Sequence, residues 1–136
     1  MKILFVGLSN KPNTEPFNSK TNSGKVLDKI IDNLNHECFK RNLVNYAPLS
    51  ENNKLRYPTK FEINESLGDF MDYINNLQPD LIISFGNIVS TTLQKIDKIK
   101  DIIIYEKHPS YVYIYKRRFL DDYINNMVQK INEYKK

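Results

Sequence analysis

Leu81-Ile82-Ile83-Ser84-Phe85-Gly86 is the stretch that decides the fold. Four apolar residues around a single serine, closed by a Gly86-Asn87 turn, read as a strand buried on both faces; a strand with one wet face would alternate. Gln78-Pro79-Asp80 just before it marks the end of a helix. Ile3-Leu4-Phe5-Val6, closed by Gly7, repeats the pattern near the N-terminus, and Ile102-Ile103-Ile104-Tyr105 repeats it later. Another strand is expected within Cys38 to Ala47, around Leu43, Val44 and Tyr46.

Amphipathic helices fill the intervals. One is capped by Asn22 or Ser23 and runs to about Asn35, with Val26, Leu27, Ile30, Ile31 and Leu34 as its apolar stripe. A second runs from about Phe61 to Leu77, and a short third from the Gly86-Asn87 turn to about Lys95. A last helix carries Phe119, Leu120, Tyr123, Ile124, Met127, Val128 and Ile131. Apolar strands alternating with such helices predict an α/β fold: a three-layer α/β/α sandwich on a four-stranded parallel sheet, one domain over residues 1–136.

Sheets of this kind bind ligands beyond the carboxyl ends of their strands. That selects four loops: Gly7 to Asn22, Asn45 to Thr59, Gly86 to Ser90 and Lys107 to Tyr111. The segment Ser9 to Asn22 is polar, aperiodic and long for a connection in a compact domain, which favours function.

Composition narrows the chemistry. Twenty Lys+Arg against sixteen Asp+Glu give a charge of +4, which permits nucleic acid as a partner without requiring it. The one cysteine, Cys38, excludes an internal disulfide, a Cys-based zinc site and a four-cysteine iron–sulfur cluster. With two histidines, His36 and His108, no His-rich metal site is expected, and no cofactor. No run of about 18 apolar residues exists, so no membrane span is expected. The apolar start ends at Leu8, too early for a signal peptide. A cytoplasmic monomer is the expectation.

Six segments, in order, resemble the uracil-DNA glycosylase superfamily, and most closely the layout of its family 4. Gly7-Leu8-Ser9-Asn10-Lys11-Pro12 lies where the family has its first motif. Pro16-Phe17 and then Ser23-Gly24-Lys25 look like its Pro-Phe and the Gly-containing start of its first helix. Asn42-Leu43-Val44-Asn45 is similar to its second-strand Asn segment, and Arg56-Tyr57-Pro58-Thr59 with Glu62 to its Arg-x-Pro-Thr-x-x-Glu. Pro79 to Gly86 fits its Pro-strand-Gly segment, and His108-Pro109-Ser110 its second catalytic motif.

The resemblance implies an enzyme that flips uracil or a related base out of DNA, single- or double-stranded, and hydrolyses its N-glycosidic bond. By resemblance Phe17 stacks on the base, Asn42 reads its polar edge beside Gly7, and His108 stabilises the leaving base. Amides at Gly24 and Gly86 and the Ser110 hydroxyl hold phosphates, and Tyr111 wedges into the stack. Lys116, Arg117 and Arg118, the one dense basic cluster, open the last helix and neutralise phosphates.

Two departures stand out. Family 4 carries a four-cysteine iron–sulfur cluster, for which this chain lacks the ligands. Many members also place Asp or Asn two residues after the first-motif glycine to position water; here Ser9 holds that place, with Asn10 next and Glu15 the nearest acid. A non-catalytic DNA- or nucleotide-binding protein on the same scaffold is the alternative, and an unrelated flavodoxin-like binder a third. More ordinary readings also stand: Phe17 as a core plug, Asn42 satisfying backbone at a strand start, and Arg56 pinning its loop to Glu62.

Overall fold

A computed structural model describes residues 1–134. Its four strands are β1 (Lys2–Ser9), β2 (Glu37–Val44), β3 (Leu81–Phe85) and β4 (Ile103–Glu106), and all pair in parallel in the order β2-β1-β3-β4. The helices are α1 (Asn22–Asp32), α2 (Lys60–Leu77), α3 (Asn87–Leu93), α4 (Pro109–Tyr115) and α5 (Leu120–Glu133). No helix among the described residues is long and apolar enough to cross a membrane.

The sheet is buried on both faces because its strands are apolar at odd and even positions alike. Ile3, Phe5, Leu81, Ile83 and Phe85 pack with Val26, Leu27 and Ile30 of α1 and Ile124, Met127 and Ile131 of α5. Leu4, Val6 and Ile82 face the other way, onto Ile63, Phe70 and Ile74 of α2 and Val89 and Leu93 of α3. Ser84, the polar interruption in β3, is fully buried and shares a 2.9 Å hydrogen bond with Ser90 of α3.

The three-layer α/β/α sandwich is as expected; three boundaries differ. β2 begins at Glu37, well before Leu43, and Tyr46 lies beyond its end. As an edge strand its first five residues are only partly covered, so they carry no apolar run for periodicity to detect. The Thr21 side chain, not Asn22 or Ser23, caps α1, accepting from the Gly24 amide at 3.0 Å.

The third difference shapes the site. The expected Lys107 to Tyr111 loop shortens to two residues, Lys107 and His108, before α4. Pro109 sits at the first helical position, where its missing N–H costs nothing, and His108 serves as the N-cap. The alternating Tyr111, Tyr113 and Tyr115 mask this helix from periodicity. Lys116, Arg117 and Arg118 therefore do not open the last helix. They follow α4, with Arg117–Phe119 forming a 3-10 turn, and α5 starts on Leu120 with Asp121 and Asp122 in its first turn. Positive charge thus falls at a helix C-terminus and negative charge at an N-terminus, both favourable placements.

Candidate active site

Strand order reverses between β1 and β3, and the crevice beyond their carboxyl ends is where a ligand belongs. β1 ends there in Gly7 to Ser9, with Gly7 beside Asn42 of β2 in register. A Cβ at Gly7 would lie 2.5 Å from Asn42 Oδ1 and 2.8 Å from Phe17 Cζ. Glycine is thus what lets two walls of the crevice meet over β1.

Phe17 is nearly buried, and its backbone φ of 51° lies in the left-handed region that a bulky side chain rarely adopts. The conformation is held from outside. Lys40 Nζ donates to the Phe17 carbonyl at 3.1 Å and pairs with Asp28 at 3.0 Å. The ring meets Phe85 edge-on, with centroids 5.5 Å apart, and lies within 25° of parallel to His108 at 5.8 Å. Phe17 is therefore both a core plug and a wall of the crevice.

Asn42 is buried, and its Nδ2 donates to Asn10 Oδ1 at 2.7 Å. Among the described residues nothing donates to its Oδ1. The Asn10 amide is in turn tied to the Tyr46 carbonyl at 3.2 Å. Asn10 consequently orients Asn42, while Ser9 lines the cavity.

His108 Nδ1 accepts from the Ser110 backbone N–H at 3.1 Å and contacts Ser110 Oγ at 2.8 Å. A backbone amide can only donate, so Nδ1 is the acceptor, and this pattern assigns the ring proton to Nε2. Burial, with the Lys11 charge adding, pushes the His108 pKa down to about 4. The imidazole is neutral at physiological pH and presents one N–H donor. Tyr123 fixes the approach to it, its hydroxyl donating to the Lys107 carbonyl at 2.6 Å.

A cavity of about 110 Å³ joins Ser9, Phe17, Asn42 and His108, with Lys11 and Glu15 at its edge. That is several times what one ordered water needs and suits a single small planar ring. The sequence singled out four of these six residues as site members and Glu15 as the nearest acid. Lys11 was missed, although it sits inside the first-motif segment.

The expected phosphate contacts are rearranged. The Gly24 amide is spent on Thr21, and its missing Cβ gives room to the Asn18 and Phe17 carbonyls, 1.8 and 2.7 Å from where that atom would be. Its place is in packing the loop onto α1. Gly86 adopts φ 88°, which favours glycine, and its amide donates to the Glu106 carbonyl at 3.0 Å. Ser110 faces His108. None of these three groups is left pointing outward for a phosphate.

The basic cluster lies one helix away, since the seven residues of α4 span about 10 Å. Arg117 stacks 3.9 Å over Tyr113 and donates to its carbonyl, and Arg118 lies 4.7 Å over Phe119. Tyr111 is exposed at the start of that surface, with Lys107 5.7 Å over its ring and Tyr115 5.2 Å away. Arg56 pairs with Glu62 at 2.6 Å, and Glu62 closes a capping box with Thr59, so this pair pins the loop before α2. Cys38, the lone cysteine, is half-buried against the core, its thiol pushed up by burial; with no second cysteine, no cluster fits.

A search of curated protein sequences finds no match. The crystal structure of wild-type SMUG2 from Pedobacter heparinus superposes with a TM-score of 0.70 at 12% identity, covering 96% of this chain and 74% of that one. A YwlE mutant from Bacillus subtilis, at 13% identity and 98% and 99% coverage, reaches a TM-score of only 0.44. The first likeness establishes the fold, and the family model of the Uracil DNA glycosylase superfamily matches residues 1–132. With nearly its whole length matched, the chain belongs to the uracil DNA glycosylase superfamily.

Proposed function

We propose that this protein is a DNA glycosylase that takes uracil, or a closely related base, flipped from DNA and hydrolyses its N-glycosidic bond, leaving an abasic site. The observation that carries the reading is a neutral His108, its Nδ1 held by Ser110, on the same small cavity as Phe17 and Asn42.

Breaking the bond sends its electron pair to the base and leaves positive charge on the sugar. The developing oxyanion at O2 needs a donor already in place, because a preorganised donor in a dry site costs no reorganisation when charge appears. His108 Nε2–H is that donor, and its low pKa keeps it a neutral hydrogen-bond donor instead of a cation. Asn42 Oδ1 accepts from N3–H, and the free Nδ2 hydrogen donates to O4. Phe17 closes the face of the ring. Ser9 holds the water that attacks C1′, and Asn10 acts through Asn42. Tyr111 and the basic residues beyond it meet the DNA.

The second reading, a DNA-binding protein that releases no base, is favoured by one residue: Ser9 in the place where an acid would activate water. A uracil-containing oligonucleotide decides between them. Incubation followed by alkaline cleavage at abasic sites should give product; salt-dependent binding with no product, for uracil or any modified base in a panel, leaves the second.

A further inference from the structure

Lys11 has no task in the scheme above, yet it lines the same cavity. Among the described residues it makes no ion pair and no side-chain hydrogen bond, although its charge is felt by His108. Its backbone is fixed at both ends of a tight turn. The Asn10 amide is tied to Tyr46, the Lys11 carbonyl accepts from the Thr14 amide at 3.2 Å, and the Thr14 hydroxyl bonds the Pro12 carbonyl at 2.9 Å. Glu15 lines the same cavity, its carboxylate accepting from Asn18 Nδ2 at 3.4 Å. A primary amine and a carboxylate thus line the cavity in which the proposed function removes a base.

We infer that Lys11 forms a Schiff base with the abasic sugar, giving the protein a strand-cleaving activity beyond base release. The inference rests on the proposed function only for where the sugar lies. An abasic deoxyribose opens to an aldehyde at C1′, and amines condense with aldehydes. Lys11 Nζ, in its neutral form, adds to C1′ to give a carbinolamine, which loses water to become a protonated imine. Glu15 takes a proton from C2′. The pair from that C–H bond forms the C2′=C3′ double bond, and the C3′–O bond breaks with its pair leaving on the 3′ phosphate. Water then hydrolyses the imine, returning the amine and releasing a strand that ends in an unsaturated aldehyde. No oxidant or further co-reactant is needed.

The test uses an oligonucleotide carrying one preformed abasic site, so that it does not depend on base release. Borohydride present during incubation delivers hydride to C1′ of the imine and makes the C–N bond permanent. The wild-type protein should then run as a covalent protein–DNA band, and digestion with mass spectrometry should place the sugar remnant on Lys11. Lys11→Ala and Lys11→Arg should both reduce the band to background, since arginine keeps the charge but offers no primary amine. Both should melt with the wild type, because Lys11 is exposed. Lys95→Ala, at an exposed position of another helix end, should keep the band. No band from the wild type overturns the inference, and so does a band that survives both Lys11 substitutions. Base release from a uracil oligonucleotide is scored separately, so an enzyme that frees uracil but traps nothing refutes this inference alone.

Discussion

Gly7→Ala probes the joint between the fold and the site. The added methyl would sit 2.5 Å from Asn42 Oδ1 and 2.8 Å from Phe17 Cζ, both closer than real Cβ atoms approach. Neither neighbour yields cheaply, because Asn42 is buried and tied to Asn10, and Phe17 is wedged against Phe85. Overpacking of this kind costs roughly 1–3 kcal/mol. Alanine recovers about 0.5–1 kcal/mol of backbone entropy that glycine loses in a strand. The net loss of about 1–2 kcal/mol should lower the melting temperature of a 136-residue chain by about 3–7 °C. The same shift moves Asn42 and the Phe17 ring together, and a misplacement approaching 1 Å should slow uracil release by roughly 10²-fold. Gly68→Ala is the matched control. It lies within α2 with nothing within 4 Å of the new methyl, so the helix should gain about 1 kcal/mol and melt higher. Thermal unfolding by circular dichroism and single-turnover base release measure both effects. A Gly7→Ala protein that melts with the wild type and releases uracil at the same rate would refute the close packing at this joint.

Other consequences follow from the same geometry. His108→Ala removes the donor at the leaving base and should slow single-turnover uracil release by roughly 10²–10³-fold; an unchanged rate takes His108 out of the mechanism. Ser110→Ala loses the 2.8 Å contact but keeps the 3.1 Å backbone bond to Nδ1, so its rate should fall between those of His108→Ala and the wild type. Because the folded His108 titrates at about 4, base release should hold from pH 8 to about pH 5; an acid limb centred at 6.5 that His108→Ala abolishes would contradict the burial argument. The stability sign is fixed by the same value: the unfolded chain takes up the proton first, so stability falls as pH drops from 6.5 to about 4, and chemical denaturation across that window in wild type and His108→Ala measures the difference. Glu62, held at about 2 by Arg56 and the Thr59 amide, contributes stability above pH 4.5 that is lost as pH falls toward 2, and Glu62→Gln should flatten that part of the profile.

How far these features were legible depends on where their cause lies. The two central strands and α2 announce themselves because their own residues decide them: Leu81 to Phe85 is apolar wherever it points. The early part of β2 does not, since Glu37 to Arg41 is a strand only because β1 is beside it. The cap on α4 is legible in hindsight, as His-Pro-Ser is a helix start with proline at the first position, but the three alternating tyrosines hid the helix that follows. At the site, Phe17, Asn42 and His108 were found through ordered motifs, and the cavity they share came from the meeting of the end of β1, the loop before α1, Asn42 of β2 and the N-cap of α4. What the sequence could not display was which polar groups are already occupied. Asn10 reads as a candidate for holding water until Asn42 is seen bonded to it, and the Gly24 and Gly86 amides read as free until Thr21 and Glu106 are seen to use them.

Those occupied groups also say what kind of site this is. Each proposed base-facing wall has its own support: Asn10 behind Asn42, Ser110 behind His108, and Lys40 with Phe85 behind Phe17. Holding a phenylalanine at φ 51° costs of order 1–3 kcal/mol, and such a conformation persists only where its surroundings over-determine it. Lys40 bridges from the Phe17 carbonyl to Asp28, and the Asn18 carbonyl is locked by the Thr21 amide and hydroxyl at 2.9 and 2.7 Å. The strain is thus carried by the loop's seat on α1, which only a glycine at position 24 permits. A wall built this way cannot relax around a wrong base, so recognition of the ring falls to fixed groups. Lys11 and Glu15 line the same cavity but are exposed and support none of these walls. This division is why a change at Lys11 should leave the shape of the proposed base-binding walls intact while a change at Gly7 should not.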